Sequence, residues 1–188
     1  MRARYPTRWL MTDERMGDLM TPTLLALPPG SGVVFRHYSL ERRDRRALFR
    51  EVRRIARARR LVLVVARPDR VGRADGVHGA AKGAGLRTWP AHDRRQAVTG
   101  KRAGADLLFV SPVFATRSHP GAKPIGAARA AAIGRGLGIG LVALGGMTER
   151  RFRAVRELGF VGWAAVDGLT GPDRPIAASR RSRAVGRS

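Results

Sequence analysis

Thr116, Arg117, Ser118, His119 and Lys123 fall within eight consecutive positions, directly after the apolar run Leu107–Val110. Hydroxyls and cations gathered this closely are the donors that oxyanions need, because charge-assisted hydrogen bonds are shorter and stronger than neutral ones. The apolar run reads as a strand buried on both faces, and Ser111-Pro112 stops it. A rigid strand feeding a polar, cationic loop is how parallel α/β folds present an anion site. A solvated connecting loop is the competing reading of the same residues.

A second stretch points the same way. Gly145-Gly146-Met147-Thr148 follows the apolar run Leu141–Leu144 and leads into a helical pattern. Glycines let backbone N–H groups approach an anion closely, and a helix start adds partial positive charge; a simple tight turn is the alternative. Histidine, the side chain that titrates near neutral pH, ends or follows further runs at His37, His78 and His92.

These residues need a frame that brings strand ends together. Eight short apolar runs are expected as strands, at residues 5–11, 33–36, 61–66, 76–78, 86–89, 107–111, 141–144 and 162–166. Helical patterns alternate with them: 14–20 and 21–27, then Ser39 capping a helix to Arg60, a turn or two over 80–84, then 93–103, 127–135 and 148–158. Repeated β-then-α means a doubly wound sheet or a (β/α)₈ barrel. The barrel is preferred, since the strands number eight and no G-x-G-x-x-G follows the first. At 188 residues the chain is just under the usual lower bound of roughly 200 for that fold, so reduced helices are expected. Residues 1–170 would form the barrel, with 171–188 as an Arg-rich C-terminal helix or tail.

Composition narrows the function classes. There is no cysteine, which excludes disulfides and thiolate catalysis. No apolar run is long enough to span a membrane, and the N-terminus has no secretory apolar core, so a cytoplasmic protein is expected. The net charge of +23 attracts polyanions, and a basic nucleic-acid-associated protein is one hypothesis. Against it, arginine is spread over nearly every helical pattern and aromatics for stacking are few. A small phosphorylated ligand would be drawn in by the same field, and a homo-oligomer is compatible with it.

Three segments together resemble a known family. Gly104-Ala-Asp…Ser111-Pro-Val-Phe-Ala-Thr116-Arg-Ser118…Pro124-Ile-Gly126, Val142-Ala-Leu-Gly145-Gly146-Met, and Gly159-Phe-Val-Gly162…Val166 resemble the thiamine phosphate synthase superfamily, which includes the thiazole tautomerase (TenI) branch. Asp75-Gly76-Val77-His78 and Met11-Thr12-Asp13 fit the same pattern. The resemblance runs over about residues 7–170 and implies a (β/α)₈ barrel. It implies that Thr116 and Ser118 bind the diphosphate of a pyrimidine substrate. Gly146 would hold a thiazole phosphate through its backbone amide, and Arg36 would be the second-strand arginine of the pyrimidine and diphosphate pocket. Arg117 and Lys123 supply further positive charge beside the hydroxyls. The implied reaction is a C–N bond-forming transfer that releases pyrophosphate.

The chain departs from that pattern where the family holds Mg²⁺. Ala66-Arg67 stand where the resemblance implies Asn-Asp, and Gly79-Ala80-Ala81-Lys82 carries no acid where a second ligand is implied. Val34, Tyr38 and His119 replace a glutamine and two lysines, and Asp167 replaces a phosphate-binding serine. Mg²⁺ is usually held by one or two carboxylates plus substrate oxygens, so these changes disfavour it. The expectations are therefore no metal, a transferase activity weakened or lost, and His119 with Arg36 as the candidate catalytic pair. His37, His92 and Asp167 are further pocket candidates. A metal-independent tautomerase and a non-catalytic thiamine phosphate binder remain the alternatives.

Overall fold

In the computed structural model, the chain is described over residues 5–68, 71–116, 121 and 123–166. Arg117, Ser118, His119, Asp167 and the 171–188 tail lie outside the described residues. Eight strands form in chain order: β1 Arg8–Met11, β2 Gly32–Phe35, β3 Val62–Ala66, β4 Gly76–His78, β5 Leu86–Ala91, β6 Leu107–Val110, β7 Gly140–Leu144 and β8 Phe160–Ala165. Each pairs in parallel with the next, and β8 returns to β1, closing the barrel. Closure leaves no unpaired edge. Five α-helices accompany them among the described residues: α1 Met20–Ala26, α2 Arg42–Ala58, α3 Arg94–Arg102, α4 Ala127–Ile133 and α5 Glu149–Val155.

Strand alternation sorts the side chains into three clusters. Trp9, Met11, Val34, Val64, Leu107, Phe109, Val142 and Ala164 fill the barrel interior. Trp9 meets Phe109 edge-on, with ring centroids 5.2 Å apart. The Trp9 ring fits because β2 offers Gly32 there; a Cβ on Gly32 would lie 2.1 Å from Trp9 Cε3. Two outer clusters bind helices to strands, one under α1 and α2 and the other under α3 to α5. In α2 the residues Phe49, Val52, Ile55 and Ala56 are buried. Their three- and four-residue spacing is the apolar stripe of an amphipathic helix, and each large one contributes about 1.5–3 kcal/mol by burial.

Several local expectations are corrected. β1 starts at Arg8, because Pro6 has no N–H to give a ladder. The α2 helix begins at Arg42 with Glu41 at its N-cap; Ser39 instead donates its backbone N–H to Glu14 Oε1 at 2.9 Å. No helix forms over 80–84. Gly83 and Gly85 adopt φ of +141° and +81°, so this link between β4 and β5 is a loop. That missing helix is one reason so short a chain closes a barrel. β8 starts earlier than expected, at Phe160, and an irregularity in its register with β7 at Leu141/Val142 absorbs Val161.

Candidate functional site

The carboxyl ends of the strands surround one large cavity of about 720 Å³. Arg36, Arg67 and Arg151 reach it, together with His78, His92, Thr116, Gly145 and Gly146. No carboxylate is among its described lining residues. A closed barrel of eight strands sets β3 opposite β7, four strands away in either direction. Arg67, following β3, and the Gly145-Gly146 turn, following β7, therefore occupy facing walls.

On the β7 wall the chain makes a turn that depends on glycine. Gly145 and Gly146 have φ of +97° and +59°. A Cβ on Gly146 would come within 2.3 Å of the Ala115 carbonyl oxygen, so the turn packs tightly against the loop after β6. Phe114 N–H donates to the Gly145 carbonyl at 3.1 Å, fixing the two loops together. Thr148 caps α5 by accepting from Arg151 N–H at 3.2 Å. Arg151 then folds back, donating to the Gly146 carbonyl and lying over the Phe114 ring with 4.9 Å to its centroid. Since α5 is only seven residues long, the positive charge here comes mainly from Arg151. The spacing Gly146 to Arg151 carries no motif, but Arg151 sits one turn into a helix that starts at the cavity mouth, which places it there.

On the opposite wall the cations differ in freedom. Arg36 is half-buried and tethered: Nε donates to the Thr12 carbonyl at 3.0 Å and Nη2 to Asp13 Oδ2 at 3.1 Å. Asp13 is held down at about pKa 2, chiefly by its hydrogen bond from Arg15, and Arg36 adds to the effect. Arg67 is exposed, in the left-handed region at φ +49°, with its guanidinium over the Tyr38 ring at 4.7 Å from the centroid. Beneath it, Arg45 of α2 donates to three carbonyls, those of His37 at 2.6 Å, Ala66 at 2.5 Å and Arg67 at 3.0 Å. Arg45 has the look of one more surface arginine in the sequence. Its spacing from Phe49 and Val52, four and seven residues, puts it on the buried stripe of α2 and is the signal that could have found it.

The histidines separate. His78 forms the cavity floor, buried, edge-on to Phe109 at 5.2 Å. The Thr88 hydroxyl donates to the Val77 carbonyl at 3.3 Å and lies 2.8 Å from His78 Nδ1. Burial, and then the charge of Arg36, pushes His78 down to about pKa 3, so it is neutral at physiological pH. His92 lies on the rim with Nδ1 2.9 Å from the Ser111 carbonyl oxygen, which can only accept. Its Nδ1 therefore carries the hydrogen of that bond, and Nε2 is left for other partners.

His37 is not in the cavity. It stacks on Phe35 at 5.0 Å, buried beneath α2, and burial pushes its pKa down. Lys123 is exposed and does not line the cavity, and neither does Lys82. The structure thus brings Arg36, His92, Thr116, Gly145 and Gly146 around one space. It also brings Arg67, Arg151, Tyr38 and His78 there, none of them among the expected catalytic or phosphate-binding residues. No helix among the described residues is long and apolar enough to cross a membrane.

Comparison with known proteins follows the same lines. A family model described as thiamine monophosphate synthase matches residues 10–169. The thiamine-phosphate synthase of Chloroflexus aurantiacus is 38% identical over 96 residues, covering 50% of this chain and 44% of that protein. The chain thus matches less than half the length of that relative. The thiamine-phosphate synthase of Haloarcula marismortui is 32% identical with 82% of each chain covered. Among solved structures, the thiamine phosphate pyrophosphorylase of Pyrococcus furiosus superposes with a TM-score of 0.73 at 21% identity, over 89% of this chain and 88% of that one. An HpcH/HpaI aldolase/citrate lyase family protein of Burkholderia cenocepacia gives 0.58 at 16% identity, over 87% and 89%. At these identities the structural likeness bears on the barrel alone.

Proposed function

The chain belongs to the thiamine monophosphate synthase family, and from that premise we propose that its cavity binds a thiazole phosphate and a pyrimidine diphosphate, the two phosphorylated precursors of thiamine phosphate. One observation carries the reading: a cavity with cations and a glycine turn on facing walls and no carboxylate among its described lining residues. Such a lining favours two separated anionic groups. The residues present do not fit Mg²⁺. Ala66, Arg67 and Ala80 occupy the ends of β3 and β4, and no cluster of three or more His, Asp or Glu suited to a metal occurs among the described residues. Mg²⁺ is a hard cation that needs oxygen ligands, and a guanidinium beside it would repel it.

C–N bond formation with loss of pyrophosphate then proceeds slowly or not at all, since the leaving diphosphate lacks a Lewis acid. Thermal shift checks the binding part: either precursor should raise Tm by mass action. Absence of a shift with both would overturn it. Chromatographic assay of thiamine phosphate checks the rate part, which rapid Mg²⁺-dependent turnover would overturn.

A second reading is favoured by His92. With Nδ1–H committed to the Ser111 carbonyl, Nε2 is a base at the cavity mouth. Moving a proton on a thiazole carboxylate phosphate needs such a base and no metal. Loss of substrate deuterium exchange in His92→Gln would support this tautomerase reading; unchanged exchange would remove it. We also place the protein in the cytoplasm, with a small ligand rather than nucleic acid as partner. Trp9, Phe35, Phe49, Phe109 and Trp163 are all buried and so offer no stacking platform.

A further inference from the structure

Among the described residues three arginines line the cavity, and their surroundings set them different tasks. Arg36 is tied through Nε and Nη2 to the Thr12 carbonyl and Asp13. Arg151 is turned toward the Gly146 carbonyl and the Phe114 ring, on the β7 wall. Arg67 makes no ion pair with a described carboxylate, yet it is firmly placed. Its guanidinium lies on Tyr38, and its backbone is held in a left-handed conformation while Arg45 grips its carbonyl and that of Ala66. A non-glycine residue in that region of φ is strained and persists where its surroundings enforce it. Tyr38 and Arg45 are those surroundings.

We propose that Arg67, seated on Tyr38 and held by Arg45, is the cation that binds the diphosphate of the ligand, and that it does so without a divalent metal. The inference rests on the proposed function and specifies one half of it. The planar guanidinium can give two parallel N–H donors to neighbouring phosphate oxygens, which a point charge cannot. A cation over a ring face uses its charge there and can still give its N–H donors to a ligand. Facing it across the barrel, Gly146 and Arg151 would hold the single phosphate of the other ligand. Tyr38 and Arg45 are positioning residues in this scheme, since they act through Arg67.

Calorimetric titration of the full chain with inorganic pyrophosphate in EDTA, and again in excess Mg²⁺, tests the proposal. The expected result is binding in EDTA that Mg²⁺ does not tighten. Arg67→Ala should weaken it about tenfold or more, the loss of a charge-assisted contact. Arg67→Lys should recover only part of that loss. Tyr38→Phe, which keeps a ring beneath the guanidinium, should leave the affinity unchanged, and Tyr38→Ala should lower it. Binding of methyl phosphate should survive Arg67→Ala.

Three results would overturn the proposal. One is pyrophosphate binding only when Mg²⁺ is present, and another is unchanged affinity in Arg67→Ala. The third is an equal loss in Arg50→Ala, an exposed arginine midway along α2 that does not line the cavity, which would reduce the effect to general charge. A thermal shift with thiazole phosphate alongside any of these would leave the proposed function standing while Arg67 loses its part in it.

Discussion

Arg45 Nη1 donates to the Arg67 carbonyl at 3.0 Å. With its other donors on the His37 and Ala66 carbonyls, one side chain from α2 ties the carboxyl ends of β2 and β3 together. Removing it leaves three carbonyls to find water and frees the segment that carries Arg67. Arg45→Ala should therefore lower stability by about 2 kcal/mol, within the range for hydrogen bonds to a charged group. It should also weaken pyrophosphate binding. Arg45→Lys has one nitrogen for three acceptors and should recover less than half of the stability. Urea denaturation and titration of the same variants give both numbers; a stable Arg45→Ala protein with unaltered affinity would contradict the clamp.

Gly146 is the matching point on the other wall. At φ +59°, with the Ala115 carbonyl oxygen 2.3 Å from where a Cβ would be, Gly146→Ala must shift the turn or the loop after β6. An L-residue in the left-handed region costs about 1–2 kcal/mol before any clash. The variant should fold with a lowered Tm and lose about tenfold in affinity for methyl phosphate, which corresponds to 1.4 kcal/mol. Pyrophosphate binding should be nearly unchanged. Equal loss of both ligands would mean that the two walls do not act separately.

Inside the barrel, Gly32 is the counterpart of Trp9. Gly32→Ala places a methyl 2.1 Å from the indole and should destabilise by about 3 kcal/mol, an overpacking cost. Trp9→Leu added to it should restore part of the loss, because the two side chains contest one space. Strict additivity of the two substitutions in urea melts would show that they do not.

Stability should fall in mild acid, and His78 should account for much of that. Its folded pKa is pushed down to about 3, below the ordinary 6.5. Above pH 6.5 the imidazole is neutral in both states and contributes no slope. Below it the unfolded chain takes up a proton that the folded chain refuses, so stability drops by up to about 1.4 kcal/mol per pH unit. His37, also shifted down by burial, adds to the drop in the same direction. Asp13, held at about 2, enters only below the ordinary carboxylate value of 3.8, as its stabilising pair is lost. Urea midpoints at pH 6.5, 5.5 and 4.5 should decline for the native chain and decline less for His78→Gln. Parallel declines would refute the assignment.

Much of the barrel is legible in the chain because each strand is a short run of consecutive apolar residues. A strand covered on both faces must read that way, and eight of them separated by polar segments leave few architectures. Gly145-Gly146 was legible for a different reason: a turn at positive φ restricts residue type strongly. Ends of elements were less visible. Ser39 has the chemistry of a cap, and only the path of the chain from β2 to α2 hands that place to Glu41.

The histidines show where local reading stops. His37 and His92 follow strands in the same manner, yet one is stacked on Phe35 beneath α2 and the other stands at the cavity rim. Which way a side chain leaves the end of a strand depends on the next segment, and no local pattern encodes it. By itself the sequence determined the eight strands, their parallel closure, the missing acids at the ends of β3 and β4, and the charge around them. Only the tertiary structure decided that Arg36 is tied to Asp13, that Arg45 holds Arg67, and that Arg67 rests on Tyr38 facing the Gly146 turn. Those relations join residues of different elements, and the partners of a charge follow from distance in the folded chain, not from position along it.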